Sequence, residues 1–359
     1  MTNSLSMYSN VRRWALQHLP RLRKPLLQTL AWMVVGVQKA RHVHLAKIAS
    51  HRPGAATLPS RTRQLRRWVE NEAVPVRPLY AALTQRLLVR AAQAGRLRLL
   101  IDVVELTGKR QILMVALAYR RRAIPLLWHI RRGKGVSDAE TQIALLQALE
   151  PQLPEGAEVV LVGDGEFHSV ALMRFLTARG WDYCLKVHAD TRVQLEAGGA
   201  WQRLDEIFLE PGECRVFQGV RLTQSQAHGP LTLVLHWREG EEEPWRLASS
   251  WSSAFRVVQT YGRRMWIEEL FGDLQGGGFR LEQSRLWEPE RLCRLLLVVV
   301  LAYCWLLHVG THVIKRGWRR LVDRNDRRDR SIAGIGYHWI QRCLTNGNPP
   351  RVGFIPYFT

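Results

Sequence analysis

Acidic residues are scarce in this chain. The first 95 residues carry only two, Glu70 and Glu72, and the whole sequence sets 31 Asp and Glu against 52 Lys and Arg, a formal net charge of +21. A balance this basic points to a polyanionic partner: DNA, RNA or a membrane surface. Cysteine is sparse too. The five are scattered, odd in number and without C-x-x-C spacing, which excludes a disulfide framework or a zinc ribbon and fits a reducing cytosol. Long apolar runs are missing. The N-terminus "MTNSLSMYSNVRRW" has none of the length a signal peptide needs. In "LLLVVVLAYCWLLHVG", His308 ends the apolar run short of the roughly 18 residues of a membrane span, so a buried helix is expected and no membrane. There is no internal repeat. The expected location is the bacterial cytoplasm, in association with the nucleoid.

An apolar fraction of 47% over 359 residues gives a globular chain with room for two or three domains. Before residue 96, apolar residues recur at helical spacing, as in "LLQTLAWMVVGVQKA" and "LYAALTQRLLVRAAQ". Between them a Pro/Gly-rich loop leads into a basic helical stretch with Arg61, Arg63, Arg66 and Arg67. Residues 1–95 therefore read as a helical domain with a basic, DNA-contacting face; a merely solvated face is the alternative.

The pattern changes at Leu97. "LRLLIDVVEL", "QILMVALAYR" and "AIPLLWHI" are three strands separated by short turns, an antiparallel meander. "SDAETQIALLQALEPQL" follows as a helix, with Ser137 and Glu140 as its capping box. "EVVLV" is a continuously apolar, central strand. A helix and the strand "WDYCLKV" complete a β-β-β-α-β-α-β order. That is the order of a ribonuclease-H-like mixed sheet, an α/β fold, although fold alone does not fix function. Residues 190–245 break the rhythm and read as a β-rich insertion, after which "RLASSW" returns the chain to the main sheet. The catalytic core is thus expected over 96–189 and 246–310, with a basic tail from 311 to 359.

Three carboxylates stand out. Asp102 sits near the end of the first strand and Asp164 just past "VVLV". If those strands are central neighbours, both reach one surface of the sheet. A turn residue is the plainer reading of Asp164 beside Gly165. The third lies in "YGRRMWIEELFGDLQ". On one helix, Ile267, Leu270, Phe271 and Leu274 form the apolar stripe, while Tyr261, Arg264, Glu268 and Gln275 share the stripe beside it. Glu269 falls about 100° away, toward solvent. Three carboxylates on one surface repel each other and so have reason to bind hard divalent cations through oxygen. Two such ions about 4 Å apart can drive phosphodiester chemistry without a protein nucleophile.

The spacing of Tyr261, Arg264 and Glu268 resembles the Y-R-E-K signature of bacterial insertion-sequence transposases of the IS-four type. "IDVVEL" and "VGDGEF" are similar to that family's first and second catalytic aspartate segments. The likeness runs over roughly residues 25–345. One position departs: Gln275 stands where the family has its lysine. The resemblance implies a DNA transposase with a DDE mechanism. Asp102, Asp164 and Glu268 would be the catalytic residues and hold two Mg²⁺, with Mn²⁺ as a substitute. Tyr261 and Arg264 would grip terminal phosphates, and Gln275 would meet the DNA without adding charge. Arg63, Arg66 and Arg67 would contact duplex DNA. Trp201 and the insertion's other aromatics could stack on a displaced base; a core Trp is the other reading. The expected partner is double-stranded DNA, both element ends and target, with a homodimer as a candidate arrangement. A decayed DNA-binding protein and a hydrolytic nuclease without strand transfer are the competing readings.

Overall fold

The computed structural model describes residues 2–19, 22–133, 135 and 137–358. Five helices come first: α1 (Thr2–His18), α2 (Lys24–Ala40), α3 (Leu45–Ser50), α4 (Leu58–Glu70) and α5 (Val76–Gln93). The meander follows as β1 (Leu97–Leu106), β2 (Arg110–Tyr119) and β3 (Arg122–Arg132). Then come α6 (Ala139–Leu149), β4 (Val159–Gly163), α7 (Val170–Ala178) and β5 (Asp182–Lys186). Short strands β6 (Arg192–Gln194) and β7 (Trp201–Arg203) lead to the longer β8 (Cys214–Leu222) and β9 (His228–His236), and β10 (Trp245–Ser249) returns. The chain ends in helices α8 (Ala254–Tyr261), α9 (Met265–Leu274), α10 (Pro289–Lys315) and α11 (Ile332–Thr345).

All ten strands form one mixed sheet in the order β3-β2-β1-β4-β5-β10-β9-β8-β6-β7. The apolar runs explain its centre. Every residue of β4 and all of Gln111–Leu117 in β2 are buried. Successive strand residues point to opposite faces, so both faces are covered there. β1 pairs antiparallel with β2 and parallel with β4, as the element order predicts. The strands after residue 190 do not build a separate layer: β10 pairs antiparallel with β5 and carries β9 and β8 onto the same sheet.

Three local expectations are corrected. Ser137 does not cap α6. Asp138 does, accepting from Thr141 N–H at 2.7 Å, while the Ser137 hydroxyl and N–H both go to Glu166. The stretch from Tyr261 to Gln275 is not one helix. α8 stops at Tyr261, and tight bonds from Arg263 N to Thr260 O and from Arg264 N to Tyr261 O turn the chain at Gly262 before α9 begins. Finally, His308 does not hold the apolar stretch below membrane-span length, since α10 is long and apolar enough to cross a membrane. The His308 Nδ1 lies 2.7 Å from the Ile355 carbonyl oxygen, so the ring is accommodated and α10 runs for 27 residues.

α10 is the spine of the molecule. It is long and apolar enough to cross a membrane, but 94% of its most apolar window is buried inside the protein. The N-terminal helices dock on it: Arg294 donates to the Val69 carbonyl, and Cys304 lies 3.7 Å from the Tyr80 hydroxyl. α11 crosses closely where glycines permit it; a Cβ on Gly336 would lie 2.0 Å from the Leu306 carbonyl oxygen. The segment after α11 returns to α1. The Phe354 ring sits 4.1 Å from Trp14, and Trp305 Nε1 donates to Arg351 O at 2.8 Å.

Candidate active site

β1 and β4 run parallel with Ile101 opposite Gly163, so the next residues, Asp102 and Asp164, emerge side by side at one end of the sheet. Asp102 is buried, 8% exposed, and its Oδ1 accepts from Val103 N–H at 2.8 Å. Asp164 is half-buried. Its Oδ1 caps the turn that follows, accepting from Glu166 N–H at 3.0 Å. Burial first, and the neighbouring charge of Asp164 second, push the Asp102 carboxyl up to about 7. Ionising Asp102 in so crowded and dry a place is costly, and a nearby cation would relieve that cost.

The cation within the chain is Arg264. It stands at the start of α9, one turn before Glu268. Its Nη2 lies 2.7 Å from Glu268 Oε1 and its Nη1 3.6 Å from Asp102 Oδ2. Burial works against the Arg264 charge, but Tyr261, Glu268, Asp102 and Asp164 outweigh it and raise its pKa. Tyr261 ends α8 and is buried edge-on to Trp245, at 4.9 Å between ring centroids; burial raises its hydroxyl pKa. Asp164, Tyr261 and Arg264 open onto one cleft of about 480 Å³.

Among the described residues no three His, Cys, Asp or Glu side chains stand close enough together to hold a metal ion. The guanidinium of Arg264 lies between Glu268 and Asp102, the position a cation would compete for. The donors are nevertheless the right kind: adjacent hard carboxylate oxygens, one of them destabilised by burial and by its neighbour. As donor chemistry Asp102 and Asp164 suit a divalent cation, while Glu268 is held by Arg264.

The remaining predicted residues lie elsewhere. Gln275 caps the C-terminal end of α9, where its Nε2 donates to Glu105 O at 3.1 Å. Glu269 faces away, exposed, with Arg122 at 2.6 Å. Arg63, Arg66 and Arg67 are exposed on α4, whose Leu65, Trp68 and Val69 are buried. Trp201 is half-exposed on β7. The sequence reading missed Lys186, His188 and Arg246, which line the cleft with Asp164. A signal existed for the first two: they close the strand parallel to β4, so they emerge at the same sheet end.

A family model described as the transposase DDE domain matches residues 107–305. The chain belongs to the insertion-sequence DDE transposases. The matched span begins one strand past Asp102 and takes in Asp164, Tyr261, Arg264 and Glu268. No curated protein matches this transposase.

Proposed function

We propose that this transposase cuts DNA at the ends of its element and joins them to target DNA, using Asp102, Asp164 and Glu268. The observation that carries this reading is the convergence of three chain segments. Asp102 and Asp164 end adjacent parallel strands, and Arg264 ties Asp102 to Glu268 from a helix turn within the family's matched span. The β3-β2-β1-β4-β5 half of the sheet supports a ribonuclease-H-like core.

Mg²⁺ or Mn²⁺, when bound, supplies charge neutralisation at the scissile phosphate and an acidified water. Asp102 and Asp164 would hold it, and Glu268 would complete the set. In the cutting step a water oxygen bonds to phosphorus and loses its proton, while the P–O3′ bond breaks and the 3′ oxygen leaves as a hydroxyl. In the joining step that hydroxyl attacks a target phosphodiester, forming one P–O bond as another breaks. Arg264 suits a terminal phosphate through its planar fork. Engaging that phosphate frees Glu268. Tyr261, fixed against Trp245, orients the same end. Arg63, Arg66 and Arg67 hold duplex phosphates on α4.

The test is cleavage of a labelled element end with Asp164→Asn. Lost cutting with retained duplex binding and unchanged melting supports the reading. An Asn variant that still cuts would remove Asp164 from the chemistry. Joined products separate the transposase from a hydrolytic nuclease, and a wild type that binds ends without cutting would favour a decayed core.

A further inference from the structure

The tip of the β2–β3 hairpin is made of two arginines where the turn asks for something else. Tyr119 pairs with Arg122, so Arg120 and Arg121 are the whole connection. Both have positive φ, 44° and 62°. Positive φ at both central residues marks a type I′ turn, which Asn-Gly adopts with least strain. Arginine brings a Cβ into that region, and locally Arg120 gains only a long contact over the Tyr119 ring, 5.9 Å from its centroid. Both side chains are exposed, and neither is in an ion pair among the described residues. Strain kept in a turn whose side chains make one long ring contact and no ion pair among the described residues points to a use outside it.

The hairpin tip forms one wall of an open cleft of about 680 Å³. The opposite wall comes from the segment between α10 and α11, which adds Arg328 together with Arg319 and Arg330, both paired with the buried Asp323. Arg328 repeats the pattern: exposed, at φ 45°, and in no ion pair among the described residues. Glu269 and Asp329 are the cleft's only acids, and Glu269 is already held by Arg122. No Asn or Gln lines the cleft, and the Ser331 hydroxyl is spent capping α11 through Gly334 N–H. The groups on offer bind phosphate and are poorly suited to reading adenine edges. The cleft lies along α9, taking Met265, Trp266 and Glu269, and shares no residue with the carboxylate cleft.

We infer that this arginine cleft holds the sugar-phosphate backbone of the target duplex while the element end occupies the carboxylate cleft. The inference rests on the transposase reading above, because joining requires two DNA segments to be held at once. The element end is already assigned to the carboxylate cleft, with which this cleft shares no residue, so the second segment is the target.

Arg120→Asn with Arg121→Gly in the full chain tests it. This pair removes two charges and installs the residues the turn prefers, so the variant is expected to melt at or above the wild-type temperature. Loss of function then cannot be assigned to misfolding. Anisotropy of an unrelated 30-base-pair duplex should show weaker binding, with a salt slope flatter by about 1.8, two phosphate contacts at about 0.9 each. Joining of a pre-cut end into that duplex should fall about as much as the affinity does, while cutting at the element end stays at the wild-type rate. An unchanged salt slope and unchanged affinity for the unrelated duplex would overturn the inference. Equal loss of binding to element end and unrelated duplex, with slower cutting, would overturn the assignment to target. A wild type that never cuts strikes the carboxylate reading instead, and the anisotropy arm still decides whether the cleft binds phosphates.

Discussion

On one side of α9, Glu268 meets Arg264 at 2.7 Å and through it Asp102; on the other, Glu269 meets Arg122 at 2.6 Å, and the same arginine reaches Asp273 at 3.0 Å. The pairs look alike and differ in what surrounds them. Arg264 is the lone guanidinium bridging carboxylates that strand order has crowded together, and it stands at an open cleft. Arg122 clamps two acids one turn apart on α9 and borders unpaired arginines. Beside Arg264, Asp102 and Glu268 share one guanidinium, whereas beside Arg122 stand Arg120, Arg121 and Arg328 with no ion pair among the described residues. Identical ion pairs can thus be a site on one face and a fastening on the other, and the local excess of charge distinguishes them.

The sharpest way to break this comparison is to neutralise each glutamate in turn. Glu268→Gln should slow single-turnover cleavage by at least about 10³-fold, since losing a metal-ligand carboxylate forfeits several kcal/mol of transition-state stabilisation. Glu269→Gln should stay within a fewfold, because its side chain is 56% exposed and such pairs contribute at most about 1 kcal/mol. Equal losses in two folded variants would show that the faces are not distinct.

The second test concerns stability. The native Asp102 carboxyl titrates at about 7 against 3.8 for the unfolded chain. From about pH 4 to pH 7 the native state keeps a proton that the unfolded state has given up, so this group's contribution falls as pH rises and its penalty is complete above that window. Asp102→Asn should therefore stabilise the metal-free protein by up to about 4 kcal/mol at pH 8 and hardly at all at pH 4. Adding Mg²⁺ should raise the melting temperature of the wild type and leave that of the variant nearly unchanged. A metal response retained in Asp102→Asn would remove this carboxylate from the cation site.

Smaller effects belong to the DNA grip away from the carboxylates. Arg63→Ala, Arg66→Ala and Arg67→Ala together should flatten the salt dependence of duplex binding by up to about 2.7. The full chain is the right material, since α4 is joined to α10 through Val69 O and Arg294. An unchanged slope would leave the α4 arginines as a solvated face. Smallest of all is Gln275→Lys, for which tighter element-end binding of about two- to fivefold at low salt, fading as salt rises, is expected. An equal gain at high salt would contradict that account. The native amide already donates to Glu105 O, so the lysine gives up one hydrogen bond for its charge.

Much of this was legible in the sequence because it depends on apolar runs and their order. "LRLLIDVVEL" and "VVLV" are continuous enough to be read as central strands, and once they are neighbours the meeting of Asp102 and Asp164 follows. The separation of Glu268 from Glu269 survived even though the helix did not run back to Tyr261, because both glutamates lie within α9. What escaped depends on distant partners. Ser137 has everything a cap needs, but Glu166 takes it. His308 interrupts the apolar run, and only the Ile355 carbonyl shows how its ring is accommodated within α10. The return of "RLASSW" to the main sheet was expected, but that β10 also pairs with β9 and so carries β9 and β8 onto that sheet is encoded by no local pattern. The arginine cleft escaped for the same reason: Arg120 and Arg328 are far apart along the chain and share a wall only in the folded protein.

The contact between Trp14 and Phe354 carries a consequence for biosynthesis. The ribosome delivers α1 before the segment around residue 354, and the surface of α1 that Phe354 covers has no cover until that segment has emerged. The seam around α10 is equally late, since Trp305 and His308 wait for the carbonyls of Arg351 and Ile355. Nascent chains interrupted anywhere before that segment therefore expose apolar surface that finished molecules hide, and quality-control machinery can tell the two apart by that surface alone.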